Sequence, residues 1–142
     1  MNVNAILRSK GSDILSVGPD DTIAEAARLL ALHRIGALLV MRDRQLAGII
    51  SERDIVRGIA SKGNDCLDMP VRLLMTSDLV TCSPEDSVTH LMGLMTENRI
   101  RHLPVLRKGE LVGMLSIGDV VKVRVKEVEN EAQALRDYIT AA

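Results

Sequence analysis

The chain has 142 residues, of which 46% are hydrophobic and 26% charged. That is the composition of one folded domain or two very small ones, not of a disordered segment. Eighteen Lys and Arg balance nineteen Asp and Glu for a net charge of -1, which excludes a dedicated nucleic-acid binder with its clear basic excess. Tyr138 is the single aromatic residue, so a purine held here has to lie between aliphatic groups rather than stack on rings. Cys66 and Cys82 form no C-x-x-C pair, as expected of a reduced, cytoplasmic protein. The apolar runs, such as GALLVM (36–41), are too short to span a bilayer. The N-terminus lacks the long apolar core of a signal peptide.

In chain order, ILSV (14–17) reads as a short strand. Thr22, with Glu25 three residues later, reads as a helix N-cap, and Ile23, Ala26, Ala27 and Leu30 follow at the spacing of one helix face. GALLVM is a strand, RDRQ a polar turn and LAGII a second strand. Ser51-Glu-Arg-Asp54 then opens another helix. Ser-x-x-Asp at that junction is compatible with a plain capping box and with a ligand grip. KGNDCLDMP (62–70), polar and broken by Gly63 and Pro70, reads as a linker.

The same order then returns. Shifted by 65 residues, the chain aligns with itself without a gap from Asp13/Asp78 to Val56/Val121. Identical pairs include Pro19/Pro84, Arg34/Arg99, Gly48/Gly113, Ser51/Ser116 and Asp54/Asp119. LVTC (79–82) is the equivalent of the first strand, Ser87 of the N-cap and HLPVL of the first long strand. Each repeat is therefore expected to be β-α-β-β-α, in a mixed α+β fold. The expected organisation is a first repeat over 1–62, a linker over 63–70 and a second repeat over 71–125. A unit of about 60 residues buries little surface, so the two are expected to pack as a pseudo-twofold pair. The tail, 119–141, has no Pro or Gly after Asp119. Val121, Val125, Val128, Ala132, Leu135 and Ile139 recur there at alternating steps of four and three, the pattern of a helix-helix seam. Such a helix either packs back on its own repeat or forms a homodimer contact.

Two β-α-β-β-α copies with Gly-x-x-Ser-x-x-Asp at the last strand-helix junction resemble a tandem pair of cystathionine-beta-synthase (CBS) domains, a Bateman module. SERDIVR, IRHLPV and SIGDVVK are similar to the small stand-alone bacterial members. The resemblance implies a regulatory module that binds an adenosine-containing ligand (AMP, ADP, ATP, NAD(H) or S-adenosylmethionine) in the cleft between repeats, and a regulated protein elsewhere. It also implies that the base lies against Ser16, Val17 and Ile35, Gly36, Ala37 and Leu38 in one site. In the other it lies against Thr81, Cys82 and Ile100, Arg101, His102, Leu103 and Pro104.

The residue types suit that ligand. Asp54 and Asp119 can each accept two hydrogen bonds from the vicinal diol of a ribose. Ser51 and Ser116 sit at helix N-termini, where N–H groups and the helix dipole favour phosphate. Gly48 and Gly113 would let a ligand approach the strand. Arg101 and His102 replace Gly36 and Ala37 of the first repeat, and in the family basic residues at this place contact phosphates. Arg53 stands beside Asp54, with Arg57 and Lys122 one turn further along their helices. The two sites are thus expected to be unequal, the second better suited to a phosphorylated nucleoside. His33 and His90 have no metal-like spacing, so no metal is expected. With no catalytic constellation, the chain is expected to be no enzyme. A dimeric scaffold with vestigial sites is the alternative reading, and a nucleotide-hydrolysing enzyme a weaker one.

Overall fold

The computed structural model describes residues 1–11 and 13–141. It is an α+β structure of two compact units, Asp13–Leu79 (the first unit) and residues 1–11 with 80–141 (the second unit). The expected repeat boundaries therefore shift at two places. Residues 1–11 fold with the second repeat, and the expected linker folds with the first.

In the first unit, β1 (Ser16–Val17) runs parallel to β2 (Ala37–Arg42), which pairs antiparallel with β3 (Gln45–Ser51). Between β1 and β2, α2 (Ile23–His33) starts as its sequence requires. Thr22 is extended and its hydroxyl accepts the Glu25 N–H at 3.1 Å. Ile23, Ala26 and Leu30 form the buried face. The hairpin turn places Asp43 and Arg44 at φ 50° and 66°, the left-handed pair whose twist matches the flanking strands. After β3 comes α3 (Glu52–Lys62). The segment expected to be a linker then forms two short 3-10 turns, Gly63–Asp68 and Val71–Leu73. Cys66 and Val71 are fully buried in the core with Ile23, Leu38 and Ile50. A Cβ on Gly58 of α3 would meet Leu74 at 2.5 Å and the Cys66 sulfur at 2.8 Å, so this segment is a packed wall of the unit.

The second unit repeats the plan with α4 (Val88–Asn98), β4 (His102–Arg107), β5 (Glu110–Ser116) and α5 (Ile117–Ala141). Ser87 caps α4 by accepting the His90 N–H at 3.1 Å. Lys108 and Gly109, at φ 51° and 81°, form the hairpin turn. The strand expected over 79–82 is reduced to one parallel bridge, Cys82 with Val105. Pro104 is the reason. In the first unit the Leu39 N–H donates to the Leu15 carbonyl at 3.3 Å. Position 104 is the repeat partner of Leu39, and proline has no N–H to extend the ladder.

α1 (Val3–Lys10) opens the chain, with Asn2 accepting the Ala5 N–H at 3.2 Å. Its Val3 and Ile6 are buried in the second unit's core beside Val88, Leu91 and Leu115, worth about 1.5–3 kcal/mol each. α1 does for the second unit what residues 69–78 do for the first. Val3 and Asn4 donate to the Asp86 and Pro84 carbonyls at 3.0 and 2.9 Å. Val71 and Arg72 donate to the equivalent Asp21 and Pro19 carbonyls at 2.8 and 2.9 Å. The shift for this segment is 68 residues rather than 65, and it aligns Met1 with Met69, Val3 with Val71 and Ser9 with Ser77.

α5 matches the expected long helix. Val120 is buried and Val123 packs on the core. The expected seam stays exposed: Val121 46%, Val125 50%, Val128 47%, Leu135 60% and Ile139 64%. The seam therefore does not fold back onto its own unit.

Candidate functional site

Each strand-helix junction is built from the hairpin outward. In the first unit, Ala37 lies opposite Ser51 in the β2–β3 ladder, and the Glu52 N–H donates to the Gly36 carbonyl at 3.0 Å. In the second, His102 lies opposite Ser116, and the Ile117 N–H donates to the Arg101 carbonyl at 2.7 Å. The fold thus brings residues 36–37 and 101–102 beside the Ser-x-x-Asp of their own unit.

Both Ser-x-x-Asp segments are complete capping boxes. The Ser51 N–H and hydroxyl each donate to Asp54 Oδ2 at 2.9 Å, and the Asp54 N–H returns to Ser51 Oγ at 3.2 Å. For Ser116 and Asp119 the three distances are 2.8, 3.0 and 3.2 Å. In both boxes Oδ2 takes the internal bonds. Oδ1 has no hydrogen-bond partner among the described residues, and a carboxylate oxygen has two lone-pair directions to offer. The helix starts are less open than expected, because the first N–H of each is used by the carbonyl just before the hairpin's first strand and the third by the serine. The Arg53 and Gly118 N–H groups are the ones left over among the described residues.

The two carboxylates differ in one neighbour. Lys10, the last residue of α1, donates to Asp119 Oδ2 at 2.7 Å and to the Met114 carbonyl at 2.8 Å. Partial burial alone would raise the Asp119 carboxyl. Donation from Lys10 and Ser116, with the Lys10 charge, outweighs it and holds the group below the usual carboxylate range. Lys10 was not among the expected site residues. A repeat comparison that allowed a three-residue gap would have aligned α1 with the 69–78 segment and drawn attention to it, with Lys10 facing Asp78 in that alignment.

Several expected contacts are spent inside the fold. A Cβ on Gly48 would lie 2.7 Å from the Thr76 carbonyl and 2.9 Å from the Met75 sulfur. One on Gly113 would lie 2.7 Å from a Leu7 methyl. These glycines make room for the chain's own segments rather than for a ligand. Val17 and Leu38 are core residues of the first unit, and Cys82 and Leu103 of the second. Their side chains are not open aliphatic surfaces for a base. Burial also pushes the Cys82 thiol up to about 12, with Asp86 adding to the effect. Ala37 and Pro104 are buried, whereas Ser16 and Arg101 are exposed and Ile35, Gly36, Thr81, Ile100 and His102 half-buried. Arg53, Arg57 and Lys122 are exposed and carry no ion pair among the described residues. No group of three or more His, Cys, Asp or Glu that could hold a metal occurs among the described residues. No described helix is long and apolar enough to cross a membrane.

Two hairpins, each closed by a capped helix that presents a carboxylate, define a tandem of two small modules built on one plan. Comparison with known proteins agrees. The sequence profile of the CBS domain matches residues 6–61 and again residues 71–126. The chain is 40% identical to the mitochondrial CBS domain-containing protein CBSX3 of Arabidopsis thaliana, over 96% of this chain and 71% of that one. It is 33% identical to the CBS domain-containing protein YhcV of Bacillus subtilis, over 85% of this chain and 84% of that one. The crystal structure of a CBS-domain containing protein from Agrobacterium tumefaciens is similar at TM-score 0.84 and 44% identity, covering 87% of this chain and 92% of that one. The chain belongs to the CBS-domain family and carries two CBS domains in tandem.

Proposed function

We propose that this chain is a non-enzymatic regulatory module that binds an adenosine nucleotide at its Ser-x-x-Asp junctions, AMP before ADP, ATP or NAD(H). The observation that carries the reading is the doubled capping box, in which one carboxylate oxygen of Asp54 and of Asp119 stays available beside a strand end and a helix N-terminus. An oxygen so placed suits a ribose hydroxyl, and the leftover N–H groups at the helix start suit a phosphate. A related fold supports the ligand class: the CBS domain pair of protein MJ0100 was crystallised with 5-methylthioadenosine and S-adenosylmethionine. That relative is 23% identical, so it supports the class and not the particular nucleotide. The test is thermal unfolding with AMP, ADP, ATP, NADH and S-adenosylmethionine in turn. A ligand at 100 times its dissociation constant stabilises by about 2.7 kcal/mol. No shift with any of them at millimolar concentration removes the proposal.

The exposed seam of α5 favours a second, compatible role as a homodimer contact. Six seam positions at steps of four and three form a stripe that a second copy could cover. If both aspartates are dispensable for ligand binding but loss of the α5 tail abolishes self-association, the scaffold reading replaces the sensor reading.

A further inference from the structure

The two copies of the junction are nearly superimposable in their internal bonds, so their difference in charge stands out. In the second unit, α1 ends at Lys10 because Gly11, at φ 93°, takes a conformation that side chains disfavour, while its N–H closes the helix on the Leu7 carbonyl at 2.9 Å. The end of α1 is thereby held where the Lys10 ammonium meets both Asp119 and the Met114 carbonyl. The equivalent place in the first unit is Asp78, and no lysine reaches Asp54 among the described residues.

Lys10 also stands at the edge of a groove of about 380 Å³ between α1 and α5, which Asp119, Lys122, Lys126 and Glu127 line with it. Asp119, Lys122 and Lys126 lie three and seven residues apart and so share one face of α5. Glu127 is occupied by the N-terminal ammonium at 3.2 Å and by Arg124 at 3.4 Å. Lys122 and Lys126 have no such partner among the described residues.

A ribose on the open Asp119 Oδ1 shares the carboxylate with Lys10, which holds Oδ2, and a ligand that also takes Oδ2 displaces the ammonium. An uncharged nucleoside gives the displaced ammonium nothing in return. A phosphorylated one offers it a charge-assisted bond, and Lys122 and Lys126 add to the attraction. We propose that Lys10 is a specificity-determining residue of the Asp119 site: it holds the carboxylate when the site is empty and turns to the ligand's phosphate when it fills, so that this site takes phosphorylated nucleosides in preference to adenosine. The inference rests on the reading of Asp119 as a ribose contact.

The test is calorimetric titration of AMP and of adenosine into the Asp54→Ala chain, which leaves only the Asp119 site. The same titrations follow with Lys10→Met or Lys10→Arg added. AMP is expected to bind at least tenfold more tightly than adenosine when Lys10 is present. Lys10→Met should weaken AMP by roughly tenfold or more, as loss of a charged hydrogen bond does. It should leave adenosine unchanged or up to about fivefold tighter, because a half-exposed ion pair that opposed it is gone. Lys10→Arg should keep most of the preference. Equal weakening of both ligands by Lys10→Met marks a merely structural role and overturns the inference, as does no change in either. If AMP binds the wild-type chain and these outcomes appear, only the Lys10 assignment falls. If AMP does not bind the wild-type chain, the proposed function falls and takes this inference with it.

Discussion

Replacing Gly48 by alanine adds one methyl group where the fold has no room for it. The new Cβ would lie 2.7 Å from the Thr76 carbonyl oxygen and 2.9 Å from the Met75 sulfur. The sulfur belongs to a flexible side chain and can move, but the carbonyl is backbone. Thr76 is tied to Ile49 by two bonds, N–H to carbonyl at 2.8 Å and carbonyl to N–H at 2.9 Å, so moving it strains both. Overpacking of this kind costs about 1–3 kcal/mol, and weakening one backbone bond about 1 more. Against that, alanine restricts the unfolded chain and returns about 0.4–1 kcal/mol. The expected net loss is about 1–3 kcal/mol. Gly113 is the internal control. It occupies the same position in the second unit, but its methyl would meet only the end of the Leu7 side chain, which can rotate away. Gly113→Ala is expected to fall within about 1 kcal/mol of wild type, the usual range for a small change that the neighbours absorb. Urea unfolding at equilibrium measures both, with the slope checked for each variant. A Gly113→Ala loss as large as that of Gly48→Ala, or a neutral Gly48→Ala, would refute the reasoning.

Three other outcomes are expected. Arg44→Gly should stabilise the first unit by up to about 1 kcal/mol, since a non-glycine residue in the left-handed region costs about 1–2 kcal/mol and glycine's own entropy offsets part of the gain; the urea midpoint reads it directly. Because the folded Asp119 carboxyl lies below its ordinary range, its contribution is present at neutral pH and lost as pH falls below about 4. The gap in melting temperature between wild type and Asp119→Asn should therefore narrow on going from pH 7 to pH 3, and a gap that widens would contradict the assignment. The Cys82 thiol, pushed up to about 12, should resist iodoacetamide at pH 8 in the native protein and react on denaturation, as mass spectrometry of the labelled peptide would show.

Much of the fold was legible because it is written twice. Thr22 and Ser87, Ser51 and Ser116 cap the four helices they were expected to cap, since capping is local chemistry that a serine or threonine carries with it. The hairpins and the long α5 follow from periodicity. What escaped depends on contacts distant in sequence. α1 is placed by its bonds to residues 84 and 86, and its three-residue offset hides it from an ungapped comparison. Residues 62–70 look like a tether because they are polar, yet Cys66 is buried, and one buried residue per turn is too sparse a pattern to read. The strand over 79–82 failed because Pro104, on the strand it would pair with, has no N–H to offer. At the candidate site, the spacing of Ser and Asp predicted both boxes. It did not show that Gly48 and Gly113 admit the chain's own segments, or that Val17, Leu38, Cys82 and Leu103 serve the cores. Lys10 lies 109 residues from Asp119, and no local pattern joins them.

The central claim is that Asp54 and Asp119 are ligand-binding groups as well as caps. Calorimetric titration of AMP into the wild-type chain and into the Asp54→Ala/Asp119→Ala chain tests it most directly, with melting temperatures confirming that the variant is folded. Loss of each cap costs about 1 kcal/mol, which leaves room for a folded double variant. The account predicts binding to wild type and a drop of at least about tenfold in the double variant, the loss of one or more charge-assisted hydrogen bonds to the ribose. Unchanged affinity in a folded double variant would contradict it and would leave the boxes as caps alone.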